Sequence, residues 1–207
     1  MKYKAIIFDL DGVICRTDHY HYLAWKQLAD RHGIPFNERD NDRLRGVSRM
    51  ESLDIILEKS PVLYSDQEKL SMANEKNETY KKLLMQMTPA DLPQGVLKTL
   101  QELRSRGLLL AIGSSSKNTK LILLRLGLAD FFDAIADGTE ICRSKPDPEV
   151  FLLAAKKLGV SPAETLVVED ADSGIEAAKA GGFCVVKVNT ASESIRTDVA
   201  SALTKMR

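Results

Sequence analysis

Short β-branched or aliphatic runs stand out at 5–8, 108–112, 134–136 and 165–168, with a fifth at 183–188. Runs of this length without polar alternation are the pattern of strands buried on both faces, as in a parallel sheet. Between them apolar positions recur at helical spacing and stop at glycine. Residues 96–106 end before Gly107 and residues 117–126 before Gly127, and each glycine suits the left-handed turn that closes a helix. Strand and helix in alternation predict an α/β fold, a Rossmann-like parallel sheet with helices on both faces.

The stretch 17–88 breaks this alternation. It is helical in period throughout and contains no convincing strand, so it reads as an inserted α-helical domain. Ser48-Arg49-Met50-Glu51 and Ser65-Asp66-Gln67-Glu68 have the spacing at which serine and glutamate cap each other's backbone amides. A helix should start at each serine, the second continuing through residues 74–87. Pro89, Pro93 and Gly95 make residues 88–95 read as a hinge strand returning to the sheet. The expected domains are 1–16 with 89–207, and 17–88 between them.

Composition narrows the class. A chain of 207 residues, 44% hydrophobic, can fill a core without disulfides or a structural metal. Twenty-nine Lys plus Arg balance 29 Asp plus Glu, so no long-range field collects polyanions and nucleic acid is not an expected partner. The longest unbroken apolar stretch, 150–155, falls far short of the ~20 residues that span a bilayer, and residues 1–9 lack a leader's apolar core. A cytoplasmic protein with no membrane partner is expected. Cys15, Cys142 and Cys184 are widely spaced and read as free thiols.

The chemistry collects at strand ends, where ligands bind in an open α/β sheet. The first run delivers Asp9-Leu10-Asp11-Gly12, and a two-residue spacing on extended chain aims both carboxylates to one side. Two aspartates before a glycine also make an ordinary turn, so the other strand ends must decide. The second leads into Ser114-Ser115-Ser116-Lys117-Asn118 at a helix start, where hydroxyls and backbone N–H groups can cradle a phosphate. Lys117 there would sit in the first helical turn, against the dipole unless an anion is bound. After the third run, Pro146 holds Lys145 extended, while Asp147 can cap and Pro148 can start the next helix. The fourth ends in Glu169-Asp170, although acids at a helix start can also be plain caps.

Together these groups are what metal-assisted phosphoryl transfer through an aspartyl phosphate needs. Hard carboxylate oxygens suit Mg2+. The ion and the lysine offset the repulsion between two anions, and hydroxyls and N–H groups hold the equatorial oxygens. Neither a P-loop nor a G-x-G-x-x-G motif occurs.

These strand-end motifs, with Val13-Ile14, Tyr20-His21, Ala24-Trp25, Leu44-Arg45-Gly46-Val47-Ser48-Arg49 and Lys76-Asn77, resemble the haloacid dehalogenase-like phosphotransferases over nearly the whole chain. The D-x-D-G element points to the superfamily. The segment 45–49 points to members that interconvert β-D-glucose 1-phosphate and glucose 6-phosphate. The resemblance implies that Asp9 is the nucleophile that becomes phosphorylated and Asp11 the general acid and base. Ser114 and Lys145 bind the transferring phosphoryl group. Mg2+ is held by the Asp9 carboxylate, the Asp11 backbone carbonyl and Asp170, with Glu169 orienting the site.

The insert is then a cap that closes over the sugar, with Thr17 and His21 coupling closure to catalysis. By the same resemblance Arg45, Gly46, Val47, Ser48, Arg49, Ser52 and Lys76 bind substrate from the insert, and Ser115, Ser116, Lys117 and Asn118 bind it from the core. The partners are small-molecule sugar phosphates and the chain is expected to act as a monomer. Arg16 stands where relatives usually have an acid beside the hinge threonine, and Arg45 replaces a frequent lysine.

Some of these residues also have plainer readings. Arg49 lies in the first turn of the helix capped by Ser48, where arginine plus a helix N-terminus makes an anion site, but it could simply pair with Glu51. Lys76 taken alone is a solvated lysine of a charged helix, and His21 with Trp25 is core packing one turn apart. A phosphatase in which water attacks phospho-Asp9 is the nearest rival function, and a catalytically silent sugar-phosphate sensor is another. Residues able to grip a distal phosphate, Arg49 with Ser116 and Asn118, favour exchange between two ends of one sugar.

Overall fold

The computed structural model describes residues 3–44, 47–93, 95–188 and Val199. In chain order its elements are β1 (Ala5–Phe8), α1 (Asp18–Arg31), α2 (Glu38–Asp42), α3 (Arg49–Leu57), α4 (Asp66–Leu84), α5 (Val96–Ser105), β2 (Leu109–Gly113), α6 (Thr119–Arg125), β3 (Ala134–Ala136), α7 (Glu149–Leu158), β4 (Thr165–Glu169), α8 (Asp172–Ala180) and β5 (Cys184–Lys187). The chain divides into one unit of Met1–Arg16 with Met87–Arg207 and a second of Thr17–Gln86.

The first unit is a parallel sheet in the order β3-β2-β1-β4-β5. In β1, Ile6 pairs with Leu110 on one side and Leu166 on the other. The chain builds outward from β1 to β3, then crosses back to β4, so the strand order reverses at β1. That reversal opens a crevice at the carboxyl ends of β1 and β4. Ile7, Ala111, Ala136 and Val167 pack with Phe151, Ala154, Ala177 and Ala178 of α7 and α8. Ile6 and Phe8 point the other way by strand alternation and are equally buried. Both faces are therefore covered, which is why these strands carry no polar alternation.

Among the described residues of the second unit the elements are all helices, α1 to α4. Trp25, Leu28 and Ala29 of α1 meet Leu53 and Ile56 of α3 and Met72 and Ala73 of α4 around Ile34, Phe36 and Leu44. Ser48 and Ser65 both form the reciprocal cap with Glu51 and Glu68. Among the described residues no helix is long and apolar enough to cross a membrane, and Cys15, Cys142 and Cys184 are free.

Two expectations are corrected, while the hinge segment carries a short 3-10 turn over Pro89–Asp91, where Asp91 Oδ2 accepts the Thr88 N–H at 2.7 Å. The helix expected to run to residue 87 stops at Leu84. Helix α6 begins at Thr119, because Ser116 Oγ accepts the Asn118 N–H at 3.2 Å and Thr119 Oγ1 donates to Ser116 O at 2.9 Å, turning the chain first. Lys117 thus precedes the cap residue Asn118, and the helix-dipole argument for it falls.

Candidate active site

Asp9 stands one residue beyond β1, tied to β4 by its N–H to Val168 O at 2.9 Å. The chain then folds back sharply, with the Ile14 and Cys15 N–H groups both donating to Leu10 O. Gly12 makes this turn possible. Its φ of +85° is in the left-handed region, and a β-carbon there would strike the Asp170 carboxylate.

Lys145, on the loop after β3, places Nζ 2.5 Å from Asp9 Oδ1 and 2.8 Å from Glu169 Oε2. The other Glu169 oxygen accepts the N–H groups of Asp170 and Ala171 at 3.1 and 3.0 Å, so Glu169 both pairs with Lys145 and holds the turn that leads into α8. Lys145 is tethered through its own N–H to Ser115 Oγ at 3.4 Å. Asp147 Oδ1 accepts the Glu149 N–H at 3.0 Å, and Pro148 occupies the cap position of α7 rather than its first turn.

The site is crowded with acid. Carboxylate oxygens of Asp9, Glu169 and Asp170 all lie within 4.8 Å of one another. Burial, then the Glu169 charge, pushes Asp9 up to about 8 against the pull of Lys145. Burial and Glu169 likewise push Asp170 up to about 7. Lys145 is pushed up in turn: burial works against its charge, but Asp9 and Glu169 outweigh it. Close-set hard carboxylate oxygens are a donor set that fits Mg2+. The Asp11 carboxylate is outside this cluster but acts on it, adding to the upward shift of Asp170.

Ser114 is buried at the end of β2, its N–H bonded to Ala136 O at 3.1 Å and its Oγ accepting the Ser116 N–H at 3.2 Å. The serine loop is thus organised by its own hydroxyls. Asn118 is buried beside it, while Lys117 is exposed.

In the helical unit, Thr17 is buried as the cap residue of α1, and its carbonyl accepts the His21 N–H at 3.0 Å. The plain reading of Lys76 as solvated is wrong. It is 3% exposed, with Nζ 2.7 Å from His21 Nδ1 and 4.6 and 4.8 Å from the ring centres of Trp25 and Tyr80. His21 stacks on Tyr80 at 4.1 Å. Burial, then the charges of Lys76 and Arg49, holds His21 well below its usual 6.5, which leaves Nδ1 an acceptor for Lys76. Arg49 donates through Nη2 to Asn77 Oδ1 at 2.9 Å, while Glu51 is taken up by the Ser48 N–H at 3.0 Å. Val47 is exposed and Ser52 is buried within α3. Arg45 and Gly46 lie outside the described residues.

Two contributors escape sequence reasoning. Phe151 stacks its ring 4.6 Å from Lys145 Nζ but reads as an ordinary core position. Gly174, in the first turn of α8, leaves room for the Glu169 carboxylate. A glycine inside a helical pattern was the available signal.

A parallel sheet whose order reverses at a strand ending in a buried carboxylate–lysine pair defines a Rossmann-like enzyme core with its site at the switch point. The chain belongs to the haloacid dehalogenase-like hydrolase family, whose family model matches residues 3–182. It is 42% identical over 198 residues to the β-phosphoglucomutase of Bacillus subtilis (strain 168), covering 95% of this chain and 88% of that protein. It is 33% identical over 183 residues to the phosphorylated carbohydrates phosphatase of Thermotoga maritima, covering 87% and 82%. The crystal structure of β-phosphoglucomutase from Clostridium difficile superimposes with a TM-score of 0.83 at 40% identity, covering 96% of this chain and 87% of that one.

Proposed function

We infer that this enzyme is a β-phosphoglucomutase, interconverting β-D-glucose 1-phosphate and glucose 6-phosphate through phospho-Asp9 and bound β-glucose 1,6-bisphosphate. The observation that carries the chemistry is Asp9, buried at the switch point with Lys145 at 2.5 Å. The likeness to the Bacillus subtilis mutase favours isomerisation over hydrolysis, as does Arg49 in the first turn of α3 with Asn77 holding its guanidinium.

In this reading an Asp9 oxygen attacks phosphorus, the bond from phosphorus to the sugar oxygen breaks, and Asp11 returns a proton to that oxygen. The reverse steps then run on the other hydroxyl of the sugar. Lys145 favours ionised Asp9 and, with Ser114, binds the oxygens of the group in transfer. The Asp9 carboxylate, the Asp11 backbone carbonyl and Asp170, with Glu169 orienting them, would hold Mg2+, whose charge would offset the repulsion between nucleophile and phosphate. Arg49 of the helical unit, and Ser116 and Asn118 of the sheet unit, are the residues proposed for the second phosphate. Thr17 and His21 are proposed to couple movement of the helical unit to turnover, and Lys76 to bind substrate.

The test is glucose 6-phosphate formation from each anomer of glucose 1-phosphate, with Mg2+ and a bisphosphate primer. Product from the β anomer alone supports the reading. Inorganic phosphate released without isomerisation makes the protein a phosphatase, and neither product makes it a sensor.

A further inference from the structure

The Lys145 ammonium has a third neighbour to which the proposed mechanism gives no task. Besides Asp9 and Glu169, Nζ lies 4.6 Å from the centre of the Phe151 ring. Phe151 is fully buried and the Lys145 side chain is only 9% exposed. The ring is fixed in place, meeting Phe183 edge-on at 6.2 Å. A β-carbon at Gly113 would stand 2.7 Å from Phe151 Cδ1, so β2 ends in a residue with no side chain where the ring needs space. Phe151 N–H donates to Pro148 O at 3.1 Å in the first turn of α7, the helix that directly follows the Lys145 loop.

An aromatic face carries negative potential and attracts an ammonium within about 6 Å, more strongly where water is excluded. An aliphatic side chain would fill the same volume without attracting the charge. We propose that Phe151 is a positioning residue for phosphoryl transfer, its ring face holding the Lys145 ammonium between Asp9 and Glu169. The catalytic consequence rests on the phospho-Asp9 reading, whereas the attraction between ring and ammonium does not.

The test replaces Phe151 site-specifically by 4-fluoro-, 3,5-difluoro- and 3,4,5-trifluorophenylalanine, which strip the negative face stepwise with little change of shape. The rate of Asp9 phosphorylation by acetyl phosphate, with Mg2+, should fall in step, by roughly twofold to thirtyfold across the series, the range that about 0.5–2 kcal/mol of cation–π attraction converts to. Urea midpoints of the metal-free chain, measured with Lys145 and with Lys145→Met, form a second readout. Packing effects of fluorine appear in both backgrounds, so a fall confined to the lysine background is the attraction itself. A flat rate series, or equal midpoint changes in both backgrounds, overturns the proposal. If the unsubstituted enzyme takes no phosphoryl group from acetyl phosphate, the phospho-aspartate reading fails, and the two midpoint series still decide whether the ring holds the ammonium.

Discussion

The Glu169 carboxylate occupies the space that a β-carbon on Gly174 would need, with Oε2, Cδ and Cγ all in its path. Alanine in a helix interior is ordinarily favoured over glycine by about 1 kcal/mol. Here Gly174→Ala should instead cost about 1–3 kcal/mol through overpacking and push Glu169 away from Lys145. Urea denaturation and the rate of Asp9 phosphorylation should both show losses. A more stable variant with full activity would mean that Glu169 has slack the structure does not reveal.

Asp9→Asn should keep the fold, since the amide has nearly the same shape, and abolish both isomerisation and phosphate release because an amide cannot form the acyl phosphate. Circular dichroism checks the first part and turnover the second. Substantial residual turnover would sink the phospho-aspartate mechanism.

Mg2+ should raise the thermal midpoint by mass action, worth about 2.7 kcal/mol at a hundred times the dissociation constant. Asp170→Asn should blunt the shift by removing one of the three clustered carboxylates. Chelation should silence turnover reversibly, because the buried sheet core does not depend on the ion to fold. Activity that survives exhaustive chelation would show that the acid cluster holds no essential metal.

Arg49→Ala removes a charge-assisted contact of roughly 1.5–3 kcal/mol if Arg49 grips the second phosphate, so isomerisation should fall at least about tenfold. Phosphorylation by acetyl phosphate, a donor with no distal phosphate, should change far less. Equal losses in the two assays would assign Arg49 to the fold of the helical unit.

His21 supplies a pH signature. The folded chain holds it well below 6.5, by burial first and then by Lys76 and Arg49, so the unfolded chain takes up a proton that the folded one refuses. The stability this group contributes is present above pH 6.5 and is lost as the pH falls below it, by at most about 1.4 kcal/mol per pH unit. The urea midpoint of the wild type should therefore fall more steeply below pH 6.5 than that of His21→Asn. Parallel curves, or a His21 resonance that titrates near 6.5, would contradict the assignment.

The strands were legible because a parallel strand buried on both faces leaves an unbroken apolar run, as in Ala5–Phe8. Ser48 and Ser65 were legible because their caps act within three residues. Asp9, Lys145, Glu169 and Asp170 could be named as strand-end residues, and three of them do crowd together with Lys145 bridging two. What could not be read depends on residues distant in sequence. Lys76 is buried by Trp25 and His21, some fifty positions away on another helix. The start of α6 was hidden for a different reason: serine and threonine hydroxyls competed locally with the helix for backbone partners.

Placing Asp9 at the end of the central strand has a consequence in time. Asp9 is made well before β4, yet β1 is flanked by β2 and β4, and Ala5 pairs with Leu109 and Thr165. A ribosome adding 5–20 residues per second needs roughly ten to thirty seconds to reach β4. Through that interval Asp9 has neither its backbone partner Val168 nor Glu169 beside it, whereas the helices of Thr17–Gln86 are complete far earlier. The nascent chain should therefore be able to fold its helical insert while the Asp9 carboxylate still waits for a place to sit.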